Sequence, residues 1–276
     1  MLRGRWCWID EGHRGNLSTS SVLSTEEVCL KMCRLMGFVS CQPETFAIAA
    51  GENLSEFIDL SAIHCDGWGI SAIEHGAKKA QLKRAAEVAR TSPDFESAIT
   101  NTSTDGALLH LRWATAGIPV SEKNSHPFMH DGYAFIHNGA IYPKDALDPF
   151  IAEDLREYIL GDTDSEKYFY FLLTQINKFG LIEGVKSALA IIKEIDFSSI
   201  NAMILTDSQF LTICEHDADR KPSWAGDGYY DLYYKITEKD VVVASSGWNQ
   251  DGWNQLPNHQ ILVVDRSTLA TDVLAI

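Results

Sequence analysis

Five short runs of this 276-residue sequence hold residue types that can do chemistry: Met32-Cys33-Arg34-Leu35-Met36-Gly37, His64-Cys65-Asp66-Gly67-Trp68-Gly69, Arg112-Trp113-Ala114-Thr115, His137-Asn138-Gly139 and Gly161-Asp162-Thr163-Asp164-Ser165-Glu166. A cysteine such as Cys33 supplies a nucleophile once its thiol is deprotonated. Arg112 can grip a carboxylate with its planar fork, and Thr115 can add a hydroxyl. Each run alone carries little weight. Asn138-Gly139 by itself is more often a hairpin turn, Arg112 an ordinary surface ion pair, and Asp164 a helix-start acid favoured by the dipole.

Other arrangements point away from common chemistries. Gly67-Trp68-Gly69-Ile70-Ser71-Ala72 fits a relaxed dinucleotide pattern, but the residues after the glycines alternate like a strand instead of opening a helix. His126 and His130 have the i, i+4 spacing of a metal pair, yet Pro127 interrupts the segment and no acid sits where a zinc hydrolase needs its base, so a loop is the better reading. There is no G-x-S-x-G, and Ser245-Ser246-Gly247 lacks the first glycine of that elbow, which disfavours a serine hydrolase. No metal or other cofactor is suggested.

The elements that must position these residues are legible in outline. Cys33 to Ser40, Gly67 to Glu74, Ala107 to Ala114 and Tyr133 to His137 are short, largely apolar and mostly flanked by turn formers, so each reads as a strand. Alternation along Ala107 to Ala114 puts Arg112 on the face opposite Leu109, Leu111 and Trp113. Leu54, Phe57, Ile58 and Ile63 predict a short amphipathic helix, and Pro93 to Ile99 another. Phe169, Leu172, Leu173, Ile176 and Phe179 recur at helical spacing behind a Thr163-x-x-Glu166 capping box, which predicts a helix over 164–179. Leu181, Val185, Leu189, Ile192 and Ile195 continue the period as a second helix. Strands then resume at Ala202 to Leu205, Phe210 to Cys214, Tyr229 to Ile236, Val241 to Ala244 and Ile261 to Val264. This order of strands, two helices and strands indicates one α+β domain with largely antiparallel sheets, not a βαβ repeat.

Composition narrows the partners. With 38 acidic against 23 basic residues the formal charge is −15, a field that repels nucleic-acid backbones and anionic membranes. No stretch has the length of a membrane-spanning helix, and Asp10 and Glu11 stand where a signal peptide would be apolar. We therefore expect a cytoplasmic protein that binds neither nucleic acid nor membrane. Six cysteines without a C-x-x-C do not read as a disulfide framework, and reduced thiols are expected.

Taken together, in this order and at these separations, the five runs resemble the glutaminase domain of class II glutamine amidotransferases, which are N-terminal-nucleophile hydrolases. The resemblance extends from Cys33 to about residue 265 and is best to the stand-alone, YafJ-like branch. It implies a four-layer αββα sandwich of two mainly antiparallel sheets. It also implies that Cys33, as an N-terminal residue, is the nucleophile, with its own α-amino group as base. The side-chain amide of Asn138 and the backbone N–H of Gly139 would receive the oxyanion, Arg112 and Thr115 the α-carboxylate, and Asp164 the α-ammonium of a glutamine or γ-glutamyl substrate. Where many relatives read R-W-A-T-H-G this chain has Ala116, and His64-Cys65-Asp66-Gly67-Trp68-Gly69 replaces the R-G-x-D-S-A-G run of synthase-linked relatives.

Residues 1–32 carry no net charge, so the whole −15 belongs to 33–276. Their Ser- and Thr-rich middle can bury little surface to offset the entropy of ordering it. We expect residues 1–32 to be a flexible leader absent from the active form, through translation from Met32 or cleavage before Cys33, and 33–276 to be the amidotransferase-like domain. The expected activity is cleavage of a γ-amide through a γ-glutamyl-thioester. Alternatives are a glutaminase subunit that delivers ammonia to a separate synthase and, if the leader is retained, a catalytically silent binding subunit.

Overall fold

The computed structural model describes residues 33–77, 79–115, 117–223 and 225–276. The expected leader and Ala116 lie outside the described residues. In chain order the elements are β1 (Arg34–Glu44), α1 (Phe46–Ala49), α2 (Asn53–Asp59), β2 (Gly67–Ala72), β3 (Gln81–Ala85), α3 (Pro93–Asn101), β4 (Thr104–Arg112), β5 (Phe128–His130), β6 (Tyr133–Tyr142), α4 (Glu153–Arg156), α5 (Asp164–Phe179), α6 (Leu181–Ile192), β7 (Asp196–Leu205), β8 (Gln209–Cys214), β9 (Leu232–Ile236), β10 (Asp240–Ser245), β11 (Asn254–Leu256), β12 (Gln260–Asp265) and β13 (Thr271–Ala275).

Two antiparallel sheets form, in the orders β11-β9-β10-β1-β4-β2-β3 and β13-β12-β8-β7-β6-β5. Their central strands are buried on both faces, so alternation sorts apolar residues between two cores. Leu35, Val39 and Leu108 of the first sheet meet Ala134, Ile136, Met203 and Phe210 of the second. The other face of the first sheet, with Met36, Phe38, Leu109 and Leu111, packs under α1 to α3. The other face of the second, with Phe135, Ile141 and Ile200, packs under α5 and α6 through Phe169, Leu172, Val185 and Leu189. The result is the expected αββα sandwich.

Helix α5 starts where the capping residues place it. Thr163 Oγ1 accepts from the Glu166 N–H at 3.1 Å. Glu166 reaches further back than a standard box, its carboxylate accepting from Leu160 N at 3.0 Å and Gly161 N at 2.6 Å. Several short elements were not foreseen. Among them, β3 is a largely exposed edge strand with no apolar period to announce it. Strand β9 begins at Leu232 instead of Tyr229, because the Tyr230 carbonyl accepts from Asn201 Nδ2 at 2.6 Å and residues 228–231 close a turn. Reduced thiols hold for Cys33, Cys41 and Cys214, but Cys65 is disulfide-bonded. Spacing without a C-x-x-C does not reveal which sulfurs meet in space.

Three buried histidines lie close together, with His110 on the inter-sheet face of β4 and His137 on the α5 side of β6. His110 Nε2 donates across the gap to the His137 carbonyl at 3.3 Å. The His126 ring lies against His110 at 4.2 Å, tilted by 32°, and neither of its nitrogens has a hydrogen-bond partner. Loss of hydration lowers all three pKa values from the usual 6.5, His110 to about 3 and His126 well below its ordinary value.

Two outcomes follow from this packing. Thr163→Ala should cost about 1 kcal/mol of stability, read as a lower denaturant midpoint at unchanged m. The depressed imidazoles mean that the unfolded chain binds more protons below pH 6.5, so stability holds above that pH and falls beneath it. Between pH 6 and 5 His110 should contribute a slope of about 1 kcal/mol per pH unit, His126 should steepen it, and His126→Phe should make the dependence shallower. A pH-independent midpoint over that range would contradict the buried neutral assignment.

Candidate active site

At one end of the layer between the sheets, a narrow pocket is lined by Cys33, Arg112, Thr115, Gly139 and Asp164. Parity explains the convergence. Cys33 precedes β1 on the face of Leu35, and Arg112 ends β4 on the face of Leu108, so both side chains lie on the inter-sheet side. Asn138 shares the face of Ala134 and Ile136 on the opposing sheet and is 1% exposed.

Cys33 Sγ–H donates to the Trp113 carbonyl at 3.8 Å. Burial pushes its thiol up to about 11, against weaker opposing pulls from Arg112 and Arg34. At neutral pH the sulfur is therefore protonated and needs a base, which an internal amide nitrogen cannot supply. The Cys33 carbonyl accepts from Arg34 Nη1 at 3.0 Å, and the Arg34 guanidinium lies 4.7 Å over the Tyr229 ring.

Arg112 donates through Nη2 to the Pro119 carbonyl at 3.3 Å, while its buried Nη1 has no partner. Asp66 fixes the backbone on either side of Trp113: its N–H donates to the Arg112 carbonyl at 3.0 Å and its Oδ2 accepts from Ala114 N at 2.8 Å. This is the work of the 64–69 run, which holds the Arg112 segment in place.

Across the pocket, Gly139 has φ of +154°, and a Cβ there would stand 1.7 Å from the Ser199 carbonyl oxygen. No side chain fits. The β6–β7 pairing skips Ser198 at this point, and the Ile141 N–H donates to Asp164 Oδ2 at 2.8 Å. His137 ties the same parts together. Its Nε2 donates to the Ser199 carbonyl at 3.2 Å, which leaves Nδ1 to accept from the Ser165 hydroxyl at 2.9 Å. The first turn of α5, carrying Asp164, is thereby fixed to β6, carrying Gly139.

Of the sequence-derived site residues, Cys33, Arg112, Thr115, Gly139 and Asp164 thus line one pocket, and the buried Asn138 lies between its lining residues His137 and Gly139 in the chain without lining it. Asn124, which also lines it, carried no motif and was not foreseen. Trp248 and Trp253 do not line it: they pack edge to face on each other at 5.3 Å and against the helix-side core of the first sheet. Among the described residues no helix is long and apolar enough to cross a membrane.

The family model for class-II glutamine amidotransferases matches residues 32–217. The chain is 25% identical over 257 residues to an uncharacterized protein of Methanocaldococcus jannaschii, covering 84% of this chain and 69% of that one. It is 31% identical over 183 residues to a glutamine–fructose-6-phosphate aminotransferase (isomerizing) of Rhizobium meliloti, covering 62% of this chain but only 28% of the enzyme. A glutamine aminotransferase class-II domain protein from Silicibacter pomeroyi superposes with a TM-score of 0.62 at 17% identity, over 88% of this chain and 100% of that one, which shows a common fold. With the matched residues running from the candidate nucleophile past the end of β8, the chain belongs to the class-II glutamine amidotransferases, a family of enzymes acting on C–N amide bonds.

Proposed function

We propose that this protein, with Cys33 as its first residue, hydrolyses the γ-amide of glutamine or of a γ-glutamyl compound. The observation that carries the reading is the buried, unpartnered Nη1 of Arg112 in a pocket that also holds a thiol and a carboxylate. An unpaired buried guanidinium nitrogen is costly and is satisfied by an incoming carboxylate. Arg112 and Thr115 take the α-carboxylate, and Asp164 the α-ammonium. The γ-carbonyl then lies toward Cys33.

Freed as an α-amine titrating near 7.7–8.0, the Cys33 nitrogen takes the thiol proton as sulfur attacks the carbonyl. Asn138 and the Gly139 N–H receive the oxyanion. Collapse expels the amine, which leaves with that proton, and a γ-glutamyl-thioester remains. Water, deprotonated by the same α-amine, attacks the thioester, and the departing thiolate takes the proton back.

Only about a quarter of the aminotransferase is spanned by this chain. In a second reading the ammonia passes to a separate synthase, distinguished by activity that rises when such a partner is added.

Protein beginning at Cys33 should gain one adduct from a glutamine-mimicking electrophile, mapped to Cys33 by mass spectrometry, and Cys33→Ala should abolish turnover. Full activity in that variant would eliminate the mechanism. A chain that keeps residues 1–32 should gain no adduct. Asn138→Ala should lower kcat by a few hundredfold, about 3 kcal/mol of barrier, without a matching change in KM. The rate should rise with pH through about 7–8 as the α-amine loses its proton.

A further inference from the structure

In the hydrolase reading, on which this inference rests, the two charges of the substrate's head group are held from different parts of the fold. Arg112 closes β4 of the first sheet, and Asp164 opens α5 beside the second. An α-carboxylate and an α-ammonium on one carbon have a fixed separation, so the gap between their anchors must be fixed as well.

Asn124 spans that gap. It lies in the loop between β4 and β5, is 1% exposed, and uses both ends of its amide. Nδ2 donates at 3.1 Å to the Pro119 carbonyl, the same oxygen that accepts from Arg112 Nη2 at 3.3 Å. Oδ1 accepts at 2.9 Å from the N–H of Asp162, two residues before Asp164. The orientation of the amide is dictated by its partners, since a carbonyl requires the NH2 and an N–H requires the oxygen. A Cβ at Gly161 would stand 2.5 Å from Asn124 Oδ1, so the turn before α5 closes on the amide only because that residue is glycine. The parallel Lys123–Asp162 ion pair, at 3.3 Å and about half exposed on both sides, adds little.

We propose that Asn124 is a positioning residue for head-group selectivity: by holding the Arg112 segment at a set distance from Asp164, it lets the pocket require carboxylate and ammonium together. Without it each anchor persists, but the two no longer fit one amino acid at once. Cys33 and the Asn138-Gly139 donors lie on β1 and β6 and keep their places.

The test compares L-glutamate with glutarate, which lacks the ammonium, in calorimetric binding to protein beginning at Cys33. It also compares glutamine with glutaramate in turnover. Asn124→Ala, and Asn124→Asp, which keeps the shape but cannot donate to Pro119, should each lower the glutamate-to-glutarate affinity ratio roughly tenfold. KM for glutamine should rise by a similar factor with kcat within about threefold. Lower thermal stability or kcat at an unchanged ratio in both variants would make Asn124 merely structural and overturn the proposal. Wild-type protein that binds glutamate over glutarate but does not turn over glutamine would defeat the hydrolase reading while the affinity ratio still decides this one. Binding of neither ligand would overturn both.

Discussion

Everything at the site depends on two sheets burying opposed faces against one another. A strand shows alternate residues to alternate faces, so once Leu35 and Leu108 are committed to the inter-sheet layer, Cys33 and Arg112 are committed with them. The same parity on the partner sheet brings Asn138 behind Ile136 into that layer. A one-residue slip in β1, β4 or β6 would send a site residue to the helix side and expose apolar groups in exchange. Core packing and site assembly are therefore one constraint, and the hydrophobic cost of misregister protects the geometry of the pocket.

The parity argument accounts for the strands but not for Asp164, which comes from a helix terminus. Its place is set by a chain of hydrogen bonds. Ile141 N meets the carboxylate where the β6–β7 ladder skips a residue, and His137 fastens Ser165 and Ser199 to one ring. The ring does this only as a neutral imidazole, donating at Nε2 and accepting at Nδ1, and its burial lowers its pKa and favours that form. Together with His110, which links β4 to the His137 carbonyl, it makes a polar seam through an otherwise apolar interior.

The pocket itself is electrostatically unfinished. A buried guanidinium nitrogen without a partner is unfavourable as it stands, and a thiol pushed up to about 11 is held protonated and unreactive. Each is relieved by a chemical event: the first by an anion, the second by a base close enough to take its proton. The strain of such groups is tolerated because the surrounding sheets are rigid and extensively buried.

Much of this was legible in the residues. Helical spacing and the Thr163 cap determined α5 to its end residues, since a cap and an apolar stripe are local properties. Alternation gave the correct facing of Arg112 for the same reason. The site residues were legible only through the order and separation of five runs, because Asn-Gly or a lone arginine is ambiguous by itself. What the chain alone could not disclose was anything carried by long-range contact: the Asn201 bond that shortens β9, the bonded sulfur of Cys65, the edge strand β3, and Asn124, whose two partners are Pro119 and Asp162. Local sequence determined which residues share a face. Only the tertiary structure decided which faces meet and how far apart the anchors stand, because those distances are set by packing between elements remote in the chain.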